Sequence, residues 1–133
     1  MKLLTVTVPC YNSQDYMAAC LDSLVLGGDR VEVIVVNDGS KDNTGAIADQ
    51  YAARYPNIIR VIHQENGGHG EGINQGLRHA TGTYFKVVDS DDKMSEDFPA
   101  FLDALEECEK AGGIDHSKPI LLGYTGLSDE LLQ

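Results

Sequence analysis

Strand-like and helix-like segments alternate four times between Leu3 and Leu105, and this alternation limits the possible folds more than any other feature. The strand candidates are short, β-branched and mostly apolar, and they occupy residues 3–8, 31–36, 58–62 and 84–88. A helical pattern follows each of them. Such a sequence predicts an α/β fold with a doubly wound, mainly parallel sheet, helices on both faces and right-handed crossovers.

The helices are predicted from apolar residues that recur at helical spacing. The stripes are Tyr16, Met17, Cys20, Leu21, Leu24 and Val25, then Ile47, Ala48, Tyr51, Ala52 and Tyr55, then Ile73, Leu77 and Ala80, and last Phe98, Leu102 and Leu105. We expect Asn12 or Ser13 to cap the first helix and Ser95 to cap the last. Pro9 is expected to end the first strand, because it cannot donate to a ladder.

The chain has 133 residues, which suits one domain. The pattern weakens after Gly112 and Gly113, so residues 113–133 are predicted to be an irregular tail or a partial extra strand at 119–124. Residues 128–133 are expected to be loose.

Charge and cysteine content exclude several classes of function. The net charge is −11, from 21 acidic and 10 basic residues, and this field disfavours nucleic acid and anionic membranes as partners. No apolar run approaches the roughly 18 residues that span a bilayer, and the N-terminus shows no signal-peptide pattern, so we expect a cytosolic protein. Cys10, Cys20 and Cys108 form no CxxC pair and are predicted to be buried free thiols.

Polar, aromatic and glycine residues follow all four strand candidates, at 9–12, 37–40, 64–67 and 89–92. In open α/β sheets, ligands bind outside the carboxyl ends of the strands. The most unusual of these ends is Asp89-Ser90-Asp91-Asp92, where three carboxylates stand within four residues. We therefore expect this acidic cluster to belong to a shared binding rim.

Three uses of such a cluster remain open from the residues alone. The carboxylates could hold a hard divalent cation, form an acid–base pair, or lie in a solvated turn without chemistry. Asp38, at the end of the second strand, adds an acceptor to the same rim and favours the cation. The sequence contains neither a dinucleotide-binding glycine fingerprint nor a P-loop.

Three segments together resemble the family 2 glycosyltransferases, which have the GT-A fold. They are TVTVPCYNSQDYMAACLDSL at 5–24, VEVIVVNDGSKDNT at 31–44 and HQENGGHGEGINQGLRHATGTYFKVVDSDD at 63–92. They occur in the family's order and spacing, and the likeness covers about residues 3–105. The resemblance implies a truncated, Rossmann-like GT-A fold, with a nucleotide-sugar-binding half domain at 1–112.

The resemblance also implies a donor and a metal. The donor would be a UDP-sugar or another nucleotide sugar, and Mg²⁺ or Mn²⁺ would separate its diphosphate from the carboxylates. Asp91 is the expected direct ligand, and Asp89 the expected contact to the ribose or to a metal-bound water. Asp38 would accept the uracil N3–H, while Pro9 and Tyr11 would line the base. The nucleotide-sugar-binding set implied in full is Pro9, Tyr11, Asn12, Asp38, Gly67, Asp89 and Ser90.

The sequence departs from the family pattern in two places. Many members carry an arginine near the start of the helix after the glycine loop, where this chain reads Glu71-Gly72-Ile73-Asn74. His69 either replaces that cation in part or has no role in the loop. No residue after Asp92 has the context of a general base, and Asp129-Glu130 lies in no recognisable acceptor site, so we expect the base to lie outside this chain.

Two functions therefore stay open. One is an inverting, metal-dependent glycosyltransferase that acts on an unknown polysaccharide, lipid or protein glycan acceptor. The other is a nucleotide-sugar-binding fragment without turnover. The expected location is cytoplasmic, and the acceptor pathway could place the chain at the inner face of the membrane. The absent half would leave an exposed apolar edge, and the segment 120–124 is expected either to cover that edge or to pair with a second copy as a homodimer.

Overall fold

The strands and helices of this computed structural model alternate as the sequence predicts. It describes residues 2–113, Ser117 and 119–123. The elements are β1 (Leu4–Cys10), α1 (Met17–Val25), β2 (Val31–Asp38), α2 (Thr44–Arg54), β3 (Ile59–Gln64), α3 (His69–His79), β4 (Tyr84–Val87), α4 (Phe98–Lys110) and β5 (Ile120–Leu121). A 3₁₀ turn, Gly28–Arg30, leads into β2.

The five strands form one parallel sheet in the order β3-β2-β1-β4-β5. The chain moves outward from β1 to β3, then crosses back through α3 to place β4 on the other side of β1. The reversal creates a switch point between β1 and β4, where the carboxyl ends of neighbouring strands diverge. The doubly wound α/β fold is thus confirmed.

The two faces of the sheet are covered differently. Helices α1, α2 and α4 pack on one face, where Leu21, Ala48 and Leu102 are fully buried in the main core. Helix α3 packs on the other face, and Ile73 meets Phe85 and Val87 there in a smaller core. The close approach of α3 brings its N-terminal end over the carboxyl end of β1.

Several local expectations are wrong. Pro9 lies inside β1 and is paired with Val36 of β2. Pairing with β4 has already ended at Thr7, so the missing N–H interrupts no ladder there. Leu77 is 45% exposed, because glycines rather than Leu77 form the face of α3 that meets the sheet. Cys108 is exposed, whereas Cys10 and Cys20 are buried as expected.

The expected helix caps are also wrong in detail. No side-chain hydrogen bond caps α1 or α4, and their cap positions are Tyr16 and Asp97. Ser13 instead contributes its backbone carbonyl to the turn before α1. This carbonyl accepts from the N–H groups of Tyr16 and Met17. This frees the Ser13 hydroxyl for contacts at the rim.

Within the predicted segment 119–124, Ile120 and Leu121 form β5, which pairs in parallel with β4. Tyr124, residues 128–133 and the Asp129-Glu130 pair lie outside the described residues. Among the described helices, none has the length and apolar character needed to cross a membrane.

Candidate functional site

The carboxyl ends of β1, β2, β3 and β4 carry the loops of the candidate site, and hydrogen bonds between loops tie them together. The backbone N–H of Asn12 donates to Ser40 Oγ at 3.0 Å, joining the loop after β1 to the loop after β2. The Ser13 and Ser90 hydroxyls lie 2.9 Å apart and join the loop after β1 to the loop after β4. The parallel sheet therefore brings the predicted rim residues together.

Asp38 lies at the centre of this rim and is almost fully buried. Its Oδ1 accepts from Gly67 N at 2.7 Å and from Gln64 Nε2 at 2.9 Å, and its Oδ2 accepts from Gly68 N at 2.9 Å. Burial alone would raise the pKa of Asp38, but these hydrogen bonds outweigh it and hold the pKa below its ordinary value. Asp38 is thus a fixed carboxylate at the mouth of the glycine loop.

A cavity of about 240 Å³ opens beside Asp38. Its lining is Pro9, Cys10, Tyr11, Asp38, Asn66, Gly68 and His69. Tyr11 is 48% exposed, and an aromatic ring at such a place can pack against a flat ligand. We call this space the Asp38 cavity.

A second cavity of about 300 Å³ adjoins the first and contains the acidic residues. Its lining is Pro9, Tyr11, Ser13, Tyr16, His69, Asp89, Ser90 and Asp91. We call it the acidic cavity. Pro9, Tyr11 and His69 line both cavities, so the two spaces are neighbours across one shared wall.

The carboxylates of Asp89, Asp91 and Asp92 each offer an oxygen, and these oxygens lie within 4.8 Å of one another. Asp91 and Asp92 are exposed, and no lysine or arginine among the described residues forms an ion pair with either of them. Hard cations such as Mg²⁺ and Mn²⁺ prefer oxygen ligands of this kind. The donor set therefore fits a divalent cation, with Asp92 added to the expected pair.

His69 lies beside this cluster. Its Nε2 lies 3.7 Å from Asp89 Oδ1, and its ring lines both cavities. Its position at the first residue of α3 explains this placement, because α3 packs so closely over β1. The structure thus puts His69 in the rim rather than in a remote part of the loop.

The acidic loop is held in place from α1. Cys20 Sγ donates to the Asp89 carbonyl at 3.6 Å, and Met94 N donates to Ser23 Oγ at 2.9 Å. Burial raises the pKa of Cys20 to about 12, so this thiol remains protonated and able to donate. Together with the Ser13–Ser90 contact, these bonds fix the backbone that presents the carboxylates.

Asn12 lies in the loop after β1, but its side chain is committed to the neighbouring loop. Asn12 Oδ1 accepts from Lys41 N at 2.9 Å, and the residue has a φ of 49°. Asparagine tolerates this left-handed conformation better than most side chains. Asn12 therefore joins two loops, and its predicted donor contact stays a prediction.

Sequence reasoning assigned no site role to Ser13, Tyr16 or Asp42. Ser13 and Tyr16 line the acidic cavity. Burial would raise the pKa of Asp42, but hydrogen bonds from Thr44 and Gln14 lower it, and Thr44 Oγ1 in turn accepts from Ser13 N at 2.7 Å. The Asp-x-Thr spacing after Ser40 was a readable sign of this turn.

Comparison with known proteins gives one consistent family. The sequence model of glycosyl transferase family 2 matches residues 5–120. The uncharacterized glycosyltransferase EpsJ of Bacillus subtilis is 44% identical over 96 residues, which are 71% of this chain and 28% of EpsJ. The glycosyltransferase GlyG of Streptococcus pneumoniae is 40% identical over 97 residues, which are 71% of this chain and 32% of GlyG. The chain therefore spans less than a third of these relatives.

Solved structures agree with the sequence relatives. S. aureus TarS 1-349 has a TM-score of 0.71 and 34% identity, over 80% of this chain and 33% of TarS 1-349. The same protein in complex with UDP-GlcNAc has a TM-score of 0.70 and 33% identity, over 83% of this chain and 32% of that one. The mannosyltransferase PcManGT from Pyrobaculum calidifontis, in complex with GDP-Man and Mn²⁺, has a TM-score of 0.68 and 28% identity, over 77% and 31%.

Proposed function

Because this chain belongs to glycosyl transferase family 2, we propose that it is the donor-binding part of an inverting, metal-dependent glycosyltransferase that uses a UDP-sugar. The observation that carries the proposal is the pair of adjoining cavities, one beside Asp38 and one beside the acidic cluster. A nucleotide diphosphate needs this combination, since its base is flat and its diphosphate is strongly negative. The complexes of TarS with UDP-GlcNAc and of PcManGT with GDP-Man and Mn²⁺ support it.

The Asp38 cavity is proposed to hold the base. Only one hydrogen bond from the described residues reaches Asp38 Oδ2, so that oxygen retains capacity to accept from a uracil N3–H. Cytosine has no proton at N3 and would place an acceptor opposite this oxygen. Pro9 and Tyr11 would pack on the base, and Gly67 and Gly68 would act by orienting Asp38.

The acidic cavity is proposed to receive the diphosphate. Asp91 and Asp89 would hold Mg²⁺ or Mn²⁺, with Asp92 as a third carboxylate and Ser90 donating to a ribose or phosphate oxygen. A cation held there neutralises the diphosphate and stabilises the charge that develops on the departing UDP. His69 would add a donor on the wall between the two cavities, in place of the missing arginine.

A binding fragment without turnover is the second candidate, and a specific observation favours it. Among the described residues, the carboxylates that line the two cavities are Asp38, Asp89 and Asp91, and Asp38 already accepts three hydrogen bonds. None of these groups is placed as a free general base for an acceptor hydroxyl. We propose that the general base and the acceptor pocket belong to a part of the enzyme outside this chain. We also propose that the enzyme acts in the cytoplasm.

Donor choice is tested by titrating the chain with UDP-, GDP- and dTDP-sugars, with Mn²⁺ and with a chelator. We expect UDP-sugars to bind tightest and to require Mn²⁺. Asp91→Asn should abolish the Mn²⁺-dependent part of UDP binding with little change in the melting temperature, because it removes a ligand and also relieves carboxylate repulsion.

Glu107→Gln is the matched control, since it makes the same charge change at an exposed position on α4. It should leave UDP binding unchanged. Equal UDP affinity in Mn²⁺ and in chelator would contradict the metal site, and no nucleotide binding at all would contradict the proposed function.

A further inference from the structure

His63 of β3 lies between two side chains on the α2 side of the rim, outside both cavities. Its Nε2 is 2.8 Å from Asp49 Oδ1 on α2, and its Nδ1 is 3.0 Å from Asn37 Nδ2 at the end of β2. Both ring nitrogens therefore have a partner. Such an arrangement fixes the orientation of an imidazole and selects one of its tautomers.

The directions of these hydrogen bonds follow from a backbone group. Ser40 N is 3.2 Å from Asn37 Oδ1, and a backbone N–H can only donate. The amide oxygen of Asn37 must therefore face Ser40, which leaves its NH₂ facing His63. His63 Nδ1 then accepts, and Nε2–H donates to Asp49.

The same contacts continue from Asn37 to the Asp38 cavity. Ser40 Oγ accepts from Asn12 N, and Lys41 N donates to Asn12 Oδ1. These two bonds hold Asn12 at its positive φ, directly after Tyr11, whose ring lines the cavity. A displacement of Asn37 would thus also displace Asn12 and Tyr11, next to the proposed binding place of the base.

Close packing of α2 limits the freedom of this arrangement. A Cβ at Gly45 would lie 2.8 Å from Asn37 Nδ2 and 3.5 Å from His63 Cε1. Glycine lets the first turn of α2 pass directly over the Asn37–His63 contact. The amide therefore has little room to rotate away from the imidazole.

We propose that His63, held as its Nε2–H tautomer between Asn37 and Asp49, is a positioning residue that sets the loops around the base of the nucleotide. It acts through Asn37 and Ser40 on Asn12 and Tyr11, and touches no substrate itself. The inference rests on the proposed function for the identity of the ligand. It assigns to the Asp49–His63–Asn37 chain a role in donor affinity.

The tautomer is measured first, by the ¹⁵N shifts of the His63 ring in the ligand-free protein at neutral pH. We expect Nδ1 without a proton and Nε2 with one. Asp49→Asn keeps an oxygen acceptor at Nε2 and should preserve this state. Asp49→Leu removes that acceptor and should free the ring to rotate, whereas the Nε2–H tautomer should persist because Nδ1 still accepts from Asn37. An Nδ1–H ring in the unaltered protein would overturn the proposal.

The loop is measured second. His63→Leu should shift the backbone amide signals of Asn12, Ser40 and Lys41 and weaken Mn²⁺-dependent UDP binding about three- to tenfold, as expected for one or two lost hydrogen bonds. His79→Leu is the matched control, because His79 lies at the exposed far end of α3. It should change neither reading.

The positioning role of His63 and the proposed function are contradicted by different results. Unchanged loop amides and unchanged UDP affinity in His63→Leu would overturn the positioning role. If the unaltered chain binds no nucleotide, the proposed function fails, and the ring tautomer with the loop amides still decides whether His63 sets the loop.

Discussion

At the scale of single residues, Asp38 shows how a buried carboxylate is made both stable and useful. Its three donors come from the end of β3 and from the glycine loop, so the charge also holds that loop against the sheet. Gly39 lies where the end of β2 meets the glycine loop. Its φ is +70°, and a Cβ there would lie 2.7 Å from Asn66 N. A side chain at residue 39 would therefore push the glycine loop away.

Asp38→Asn is expected to destabilise the folded chain by about 1–3 kcal/mol at pH 7, because its NH₂ would face backbone N–H groups in a buried place. The lowered pKa of Asp38 gives the sign of the pH dependence. The ionised Asp38 contributes to the free energy of unfolding in full above the ordinary carboxyl pKa of about 3.9. This contribution is lost as the pH falls through the lower pKa of the folded state.

Urea unfolding of both proteins from pH 7 down to pH 3 measures this effect. The difference in unfolding free energy should shrink toward the acid end, because only the unaltered protein has this group to protonate. A difference that stays constant over the whole range would show that the hydrogen bonds to Asp38 do not depend on its charge.

At the scale of elements, the seating of α3 on β1 decides where the rim lies. Gly76 packs against Thr7 with no room for a side chain, and Gly72 would bring a Cβ within 3.2 Å of Pro9. This contact carries the N-terminal end of α3, with Gly68 and His69, over the carboxyl end of β1. The helix interface therefore shapes both cavities.

Gly76→Ala is expected to destabilise the fold by about 1–3 kcal/mol, since a Cβ there collides with Thr7. Gly70→Ala is the control in the same helix, because a Cβ there meets no atom within 4 Å. It should be neutral or slightly stabilising, by up to about 1 kcal/mol. Thermal unfolding of the two variants checks the pair. Equal losses would mean that α3 does not depend on this close contact.

At the scale of the whole molecule, the chain covers only part of its relatives, and this governs its expected activity. General-base assistance contributes about 10²–10⁴-fold, and correct placement of the acceptor can contribute more. We therefore expect this chain to bind donor but to transfer sugar at close to the background rate. A chain extended by its natural downstream sequence should transfer sugar in a multiple-turnover assay.

Robust transfer by the short chain would place the base within residues 93–133.

The same pair of chains tests the expected homodimer by sedimentation. The short chain should associate with rising concentration through the edge beyond β5, where Ile120 and Leu121 are half-buried, and the extended chain should not. A short chain that stays monomeric would contradict association through this edge.

Local patterns were sufficient for the order of strands and helices and for much of the rim. The apolar β-branched runs predicted β1 to β4. The three aspartates were expected in the loop after β4, because charged side chains are disfavoured inside a buried strand. Predictions failed where a residue's role depended on the opposite element. Leu77 fits the helical stripe of α3, yet the glycines of that helix face the sheet and Leu77 faces solvent.

The sequence by itself therefore determined the α/β alternation, the family and the position of Asp38, Asp89 and Asp91 at strand ends, because these depend on neighbouring residues along the chain. Only the tertiary structure decided that Gly67 and Gly68 donate to Asp38, that Ser13 meets Ser90 and that His63 lies between Asp49 and Asn37. These contacts join segments far apart in sequence. They form only when the parallel sheet brings its loops to one edge and the packing of α2 and α3 fixes their distances.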